Sequence, residues 1–229
     1  MSILKALMEK QSQCNGYGYV SALSISFIHI IPSEYLLFAL GCAIPVIIAI
    51  LFIQIILTNM KTNIQDIAIT LLGIFYIVGF IMFIPIIRGK NNGNFLVWYI
   101  FLSAWGTDIL AYAIGKTLGK HKIKENDISP NKTIEGCISG IIGSIIITLV
   151  YTIVINKYFN FEIAYLQVIC IAIILSIMGQ IGDFAASSIK RYNGIKDFSN
   201  LIPGHGGMLD RFDSVIFIAP FAYLLLSIL

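Results

Sequence analysis

Charge is what this sequence has least of. Only 12% of its 229 residues are charged, about half the roughly 25% that keeps a soluble domain wet. Hydrophobic residues reach 58% and the mean hydropathy is +0.88, so polar groups cannot cover the surface. That excludes a water-soluble globule, and the same apolar content excludes disorder. Lipid must be part of the solvent. The balance of 15 basic and 12 acidic residues, net +3, is too small to point to nucleic acid as a partner. Cysteine is scarce as well. Cys14, Cys42, Cys137 and Cys170 form no CxxC pair and have no neighbouring histidine, so neither a disulfide framework nor a zinc site is expected. Three of them lie in apolar runs, where cysteine acts as a small hydrophobe. After Lys5 and Lys10 no continuous apolar core begins until past Gly18, and no clear cleavage site is present. A cleaved signal peptide is therefore not expected. Repeats and low-complexity tracts are lacking too.

Long apolar runs are what the chain does have. A hydrocarbon core of about 30 Å needs roughly 20 apolar helical residues. Tyr35 to Leu57, Ile67 to Ile87, Phe95 to Gly115, Cys137 to Ile155 and Phe161 to Gly182 meet that length, and Ser214 to Leu229 is slightly short. Tyr19 to Ile31 is apolar but ends early at Pro32, and is read as re-entrant, interfacial or an extra tilted crossing. The expected fold class is all-α: a polytopic integral membrane helix bundle of six to seven transmembrane helices. It is expected to be a single membrane-embedded domain over residues 1–229, with 1–34 left unassigned.

Orientation follows from the lysines and arginines of the loops. With six spans, Lys61, Lys116, Lys120, Lys122, Lys124, Lys132, Lys190, Arg191, Lys196 and Arg211 share one side, against Lys5, Lys10, Arg88, Lys90 and Lys157 on the other. The richer side is expected to be cytoplasmic. If Tyr19 to Ile31 also spans, Lys5 and Lys10 join that side and the bias grows. In either case the loop holding Lys116 to Lys132 and the segment Asp183 to Asp213 share a face.

Chemistry concentrates in that last segment, which reads GQIGDFAASSIKRYNGIKDFSNLIPGHGGMLDRFD from Gly179 to Asp213. Asp183, Ser187 and Lys190 stand at i, i+4 and i+7, one face of a helix. Asp210 and Asp213, at i and i+3, share another. Between them Pro203-Gly204-His205-Gly206-Gly207 cannot form a stable helix, and its glycines let backbone N–H groups approach a phosphate. Taken singly, each feature has a bland explanation. An Asp at a helix end commonly caps it, a Lys-Arg pair at a span end anchors topology, and Gly-Gly marks a turn. Together they supply carboxylates for a hard divalent cation, basic groups for phosphates and a glycine turn, the inventory of phosphoryl or nucleotidyl transfer. Asp108, with Tyr112 one turn on, lies inside the third span, where a carboxylate is costly and marks a candidate site. The bland alternative is a buried partner for a lysine or arginine. His29 and Glu34 are read as interfacial and His121 as a solvated loop residue.

Ser187, Ile189, Lys190, Arg191, Lys196, Asp197, Ser199, Ile202, Pro203, His205, Gly206, Gly207, Met208, Asp210, Arg211, Phe212 and Asp213 resemble, position by position, the signature of the phosphatidate cytidylyltransferases, also called CDP-diacylglycerol synthases. A second block, Thr107-Asp108-Ile109-Leu110-Ala111-Tyr112 with Gly115-Lys116 and Gly119-Lys120, is similar to that family's Asp-x-x-Ala-Tyr-x-x-Gly-Lys region. Ser129 to Gly136 resembles its Ser-Pro-Lys-Lys-Thr-x-Glu-Gly stretch, departing at Asn131, where lysine is usual, and at Ile134, where an aromatic is common. The first departure removes one possible phosphate contact. The resemblance covers about Asp66 to Leu229, in a chain shorter than typical members.

The resemblance implies CTP plus phosphatidate giving CDP-diacylglycerol and pyrophosphate. Asp183 and Asp210 are the leading ligands for Mg²⁺ or another divalent cation, with Asp213 behind them. Lys190, Arg191, Lys196 and Arg211 are placed on phosphates of CTP or lipid. Ser187 and the Gly204 to Gly207 backbone add hydrogen bonds, and Lys132 reaches in from the neighbouring loop. His205 either donates to pyrophosphate or shapes the turn, and Asp108, Tyr112 and Asp197 support the site. The expected partners are CTP, phosphatidate and the lipid bilayer, with no nucleic acid and a homodimer left open. The expected location is a bacterial cytoplasmic membrane, with the site facing the cytoplasm. Rival readings are a CDP-archaeol synthase, a polyprenol kinase and, further off, a transporter.

Overall fold

The computed structural model describes residues 45–53, 55–57, 64–123, 128–129, 132–159, 161–198, 207 and 209–228. Tyr19 to Ile31, His29, Glu34, Cys14 and Cys42 lie outside them, as do Asn131 and, in the signature, Ser199, Ile202 to Gly206 and Met208. The chain divides into two compact units, Met1–Gly79 and Phe80–Leu229. In the first, residues 45–53 and 55–57 are helical. α1 spans Ile64–Gly73 and widens into a π turn at Ile74–Gly79. Leu51, Ile55 and Ile67 form its buried core, with Ile47 and Leu71 packed against them.

The second unit holds short helices α2 (Phe83–Arg88) and α3 (Gly93–Leu96), long helices α4 (Trp98–Leu118), α5 (Ile134–Phe159) and α6 (Tyr165–Tyr192), a 3-10 turn at Leu209–Arg211, and α7 (Asp213–Leu226). Among the described residues the nearest thing to a sheet is one isolated antiparallel bridge, Lys122 to Thr133. Ile64–Arg88, Gly93–Leu118, Ile134–Phe159 and Tyr165–Tyr192 are long and apolar enough to cross a membrane, and Pro45–Leu57 and Asp213–Leu226 are shorter apolar helices. The chain is an all-helical integral membrane protein. Hydropathy places most helix ends too early. α6 continues ten residues past Gly182, because leaving the hydrocarbon does not break a helix whose backbone bonds are internal.

The bundle is apolar outside, and the seam between α4 and α5 is small or hydroxylated, as lipid solvent demands. Apolar tails gain little by moving from lipid to another helix, so association relies on close approach and interhelical hydrogen bonds. On α5, Ile138, Ile142, Ile146 and Val150 recur every four residues and are exposed. Its other face, Gly136, Gly140, Gly143 and Ser144, is buried against the antiparallel α4. A Cβ on Gly143 would lie 2.3 Å from the Gly106 carbonyl oxygen, so only glycine lets these backbones meet. Hydroxyls bridge the seam: Tyr99 to Thr152, Ser103 to Ser144 and Thr107 to Ser176 of α6 all sit at 2.7 Å. Such bonds contribute on average about 0.6 kcal/mol each within a bilayer. Tyr99, Ile100, Val168, Leu175, Val215, Ile218 and Ala222 fill the core between α4, α6 and α7.

Candidate active site

The site forms where α4 and α6 end and α5 and α7 begin. The two loops assigned to one face by charge meet here, since the Lys132 Nζ lies 2.5 Å from the Asp183 Oδ2 and Arg191 Nε donates to the Ile128 carbonyl at 3.4 Å. Thr133 binds the start of α5 to the end of α4. Its Oγ1 accepts from Gly136 N at 3.1 Å, the side-chain cap that a helix start requires. A Cβ on Gly119 would stand 2.7 Å from the Thr133 Cγ2, which explains glycine where α4 hands over to the loop.

A cavity of about 570 Å³ opens at this junction, lined by Thr107, Asp108 and Tyr112 of α4, Lys132 of the loop, and Gln180 and Asp183 of α6, among others. Asp183, Ser187 and Lys190 all sit on α6, as their spacing predicts. Lys132 is held from two sides. Its ammonium meets Asp183 and stands 3.8 Å from the Phe184 ring centroid. Tyr112 lies at the exposed edge, accepting from the Lys116 Nζ at 3.3 Å. Gln180 donates to the Cys137 carbonyl at 3.1 Å. Sequence reasoning assigned it no role, although an amide inside an apolar span was the available signal.

A second cluster lies just beyond. α6 is capped at Asn193, and Gly194 takes φ +67°, a left-handed turn glycine adopts freely. The Ile195 N–H then returns to the Lys190 carbonyl at 3.0 Å. Lys190 Nζ lies 2.8 Å from the Asp210 Oδ1. The Asp210 Oδ2 accepts the Phe198 N–H at 3.0 Å and the Gly207 N–H at 2.9 Å. One carboxylate thus gathers both described ends of the glycine-rich connection onto α6. Asp213 opens α7 and is buried, its Oδ1 accepting the Ser214 N–H at 2.8 Å. Asp183 lies within electrostatic reach of both Asp108 and Asp213.

The remaining expected residues fall as follows. Arg191, Lys196, Asp197 and Arg211 are exposed around these clusters and Ser187 is half-buried on α6. His205 and Gly206 lie outside the described residues. His121 is exposed, as expected of a loop residue, yet its Nδ1 sits 2.5 Å from Glu135 Oε1. The carboxylates Asp108, Asp183 and Asp213 have the oxygen chemistry that a hard divalent cation requires. Among the described residues no group of three or more His, Cys, Asp or Glu stands close enough to form a metal cluster. Asp210 has both oxygens engaged by Lys190, Phe198 and Gly207.

Facing carboxylates and ammonium groups at the end of a lipid-embedded bundle suit an anionic substrate. Comparison with other proteins gives that chemistry a family. The sequence matches the Cytidylyltransferase family over residues 4–229. A phosphatidate cytidylyltransferase of Staphylococcus saprophyticus is 38% identical over 213 residues, 91% of this chain and 78% of that protein. One from Bacillus subtilis is 34% identical over 212 residues, 90% and 77% respectively. One from Staphylococcus haemolyticus is 41% identical over 172 residues, 75% and 63%. A match across nearly the whole chain, with the described ionisable residues of its signature gathered at one end of the bundle, makes this protein a nucleotidyltransferase that belongs to the cytidylyltransferase family.

Proposed function

We propose that this protein transfers the cytidylyl group of CTP to phosphatidate, forming CDP-diacylglycerol and pyrophosphate at the cytoplasmic face of a bacterial membrane. A phosphate oxygen of phosphatidate attacks the α-phosphorus of CTP. The bond from that phosphorus to the bridging oxygen breaks, and pyrophosphate leaves with the electron pair. A phosphomonoester has a second pKa of about 6, so the nucleophile is already ionised at neutral pH and needs no strong general base. The work left to the protein is to bring two anions together and to stabilise the leaving group.

The observation that carries this reading is the pair of ammonium groups, Lys132 on Asp183 and Lys190 on Asp210, at the mouth of the bundle. Each lysine is held in place by a carboxylate and would turn its remaining N–H donors to substrate phosphates. Arg191, Lys196 and Arg211 would add positive potential from the rim. Asp183 and Asp213, with Asp210 nearby, are the carboxylates that would hold a divalent cation, which when bound would neutralise triphosphate charge. Asp108 and Tyr112 line the cavity beside Lys132 and would shape the approach of the lipid headgroup. The lysine and arginine bias of the loops supports the cytoplasmic assignment.

The test is turnover by purified protein supplied with radiolabelled CTP, phosphatidate and Mg²⁺. Retention of CMP on the lipid with release of pyrophosphate is the expected result. Release of CDP with a phosphorylated alcohol would make it a kinase, and reaction only with an ether-linked lipid acceptor would make it an archaeol-type synthase. Either outcome overturns the proposal.

A further inference from the structure

We infer that Glu135 is a positioning residue for the reaction: by clasping His121 it ties the start of α5 to the residues that follow α4 and holds Lys132 at the cavity. The inference rests on the reading of Lys132 as a phosphate contact. A glutamate in the first turn of a helix ordinarily serves its own helix, where the N-terminal dipole favours it. Here Thr133 does the capping, and Glu135 reaches back across fourteen residues. Its Oε1 and Oε2 accept the His121 backbone N–H at 3.1 and 3.2 Å, and Oε1 also meets the ring Nδ1 at 2.5 Å. Neither residue lines the cavity.

The clasp begins a short lace. The Ile134 N–H donates to the His121 carbonyl at 2.9 Å, and the Ile123 N–H donates to the Lys132 carbonyl at 3.2 Å. The Lys122 to Thr133 bridge lies between them. The lace ends on the residue whose ammonium meets Asp183. A lysine side chain loses rotamer freedom when it settles on an anion, and on a free loop its backbone would have to be ordered as well. Fixing the backbone beforehand leaves only the side chain to settle when an anion arrives, which is the general advantage of preorganisation. Glu135 would therefore act on substrate through Lys132, without touching it.

The test is a double-mutant cycle on the purified full-length protein, following kcat and KM for both CTP and phosphatidate. Glu135→Gln is expected to raise KM for the same substrate that Lys132→Met affects, on the order of three- to tenfold, with kcat changed less than about twofold. The double variant should be no worse than Lys132→Met alone, because the two residues act as one unit. In Glu135→Gln, trypsin should also cut faster after Lys120 or Lys122. Multiplying effects in the double variant, or a loss confined to kcat, would overturn the inference while leaving the proposed function standing. A silent Lys132→Met would overturn both the inference and the reading of Lys132. If Glu135→Gln does not insert, the same cycle is run with His121→Ala, which removes only an exposed ring partner and should shift KM in the same direction.

Discussion

The ammonium of Lys132 lies 2.5 Å from the Asp183 Oδ2, joining a loop to a helix that begins more than thirty residues later in the chain. Both side chains are largely shielded, with 24% and 33% of their surface exposed. In such surroundings an ion pair is weakly screened, and removing one partner leaves the other charge uncompensated. On the proposed reading each residue would hold the other for a ligand of opposite sign, Lys132 for a phosphate and Asp183 for a cation.

Replacing Asp183 with Asn should keep the shape and remove the charge. Turnover is expected to fall on the order of 10²–10³-fold, the usual cost of removing one electrostatic catalytic contact. Membrane insertion and detergent-extracted homogeneity should be unchanged. Near-wild-type turnover in the inserted variant would show that the carboxylate is structural only.

Asp210→Asn should lose comparable activity for a different local reason. An amide in place of the carboxylate leaves Lys190 without its counter-charge. It also puts an N–H₂ group beside the Phe198 and Gly207 N–H donors, which need acceptors. The connection after α6 should loosen, and protease cleavage after Lys196 should accelerate. Combined with Asp183→Asn, the loss is expected to be scarcely greater than in either single variant, since groups that act as a unit are not additive. Fully multiplicative losses would argue for two independent sites.

Gly143→Ala tests the seam between α4 and α5. The new methyl carbon would meet the Gly106 carbonyl oxygen at 2.3 Å, so the helices must part. Overpacking of this kind commonly costs about 1–3 kcal/mol. Thermal unfolding of the detergent-solubilised protein should report it. An unchanged Tm would mean that the two backbones do not meet at this point.

Orientation can be measured with the four native cysteines replaced by serine. A cysteine at Asn193, at the end of α6, should react with an impermeant thiol reagent only when the cytoplasmic face is opened. One at Asn91 should react from outside. Asn91 is the better reporter on that turn, because its neighbour Asn92 sits at φ +61°, where cysteine is strained. Labelling of Asn193 from outside would overturn the orientation expected from the loop charges.

Composition and hydropathy determined that the chain lives in lipid, because a surface so poor in charge has no other stable solvent. The spacing of Asp183, Ser187 and Lys190 determined that they share a helix face, since helical periodicity is local. The signature residues, read in order, already singled out Gly179 to Asp213 as the candidate site. Only the tertiary structure decided that Asp183 pairs with Lys132 and Asp210 with Lys190, that Gln180 and Asp108 border one cavity, and that Glu135 reaches back to His121. Those pairings join residues between 14 and 72 positions apart. They depend on how close two backbones come, and that distance is set by the glycines and hydroxyls of a seam whose individual residues carry no functional pattern along the chain. Hydropathy likewise marks where a helix leaves the hydrocarbon and not where its backbone bonds stop, so the end of α6 at Tyr192 was fixed only in three dimensions.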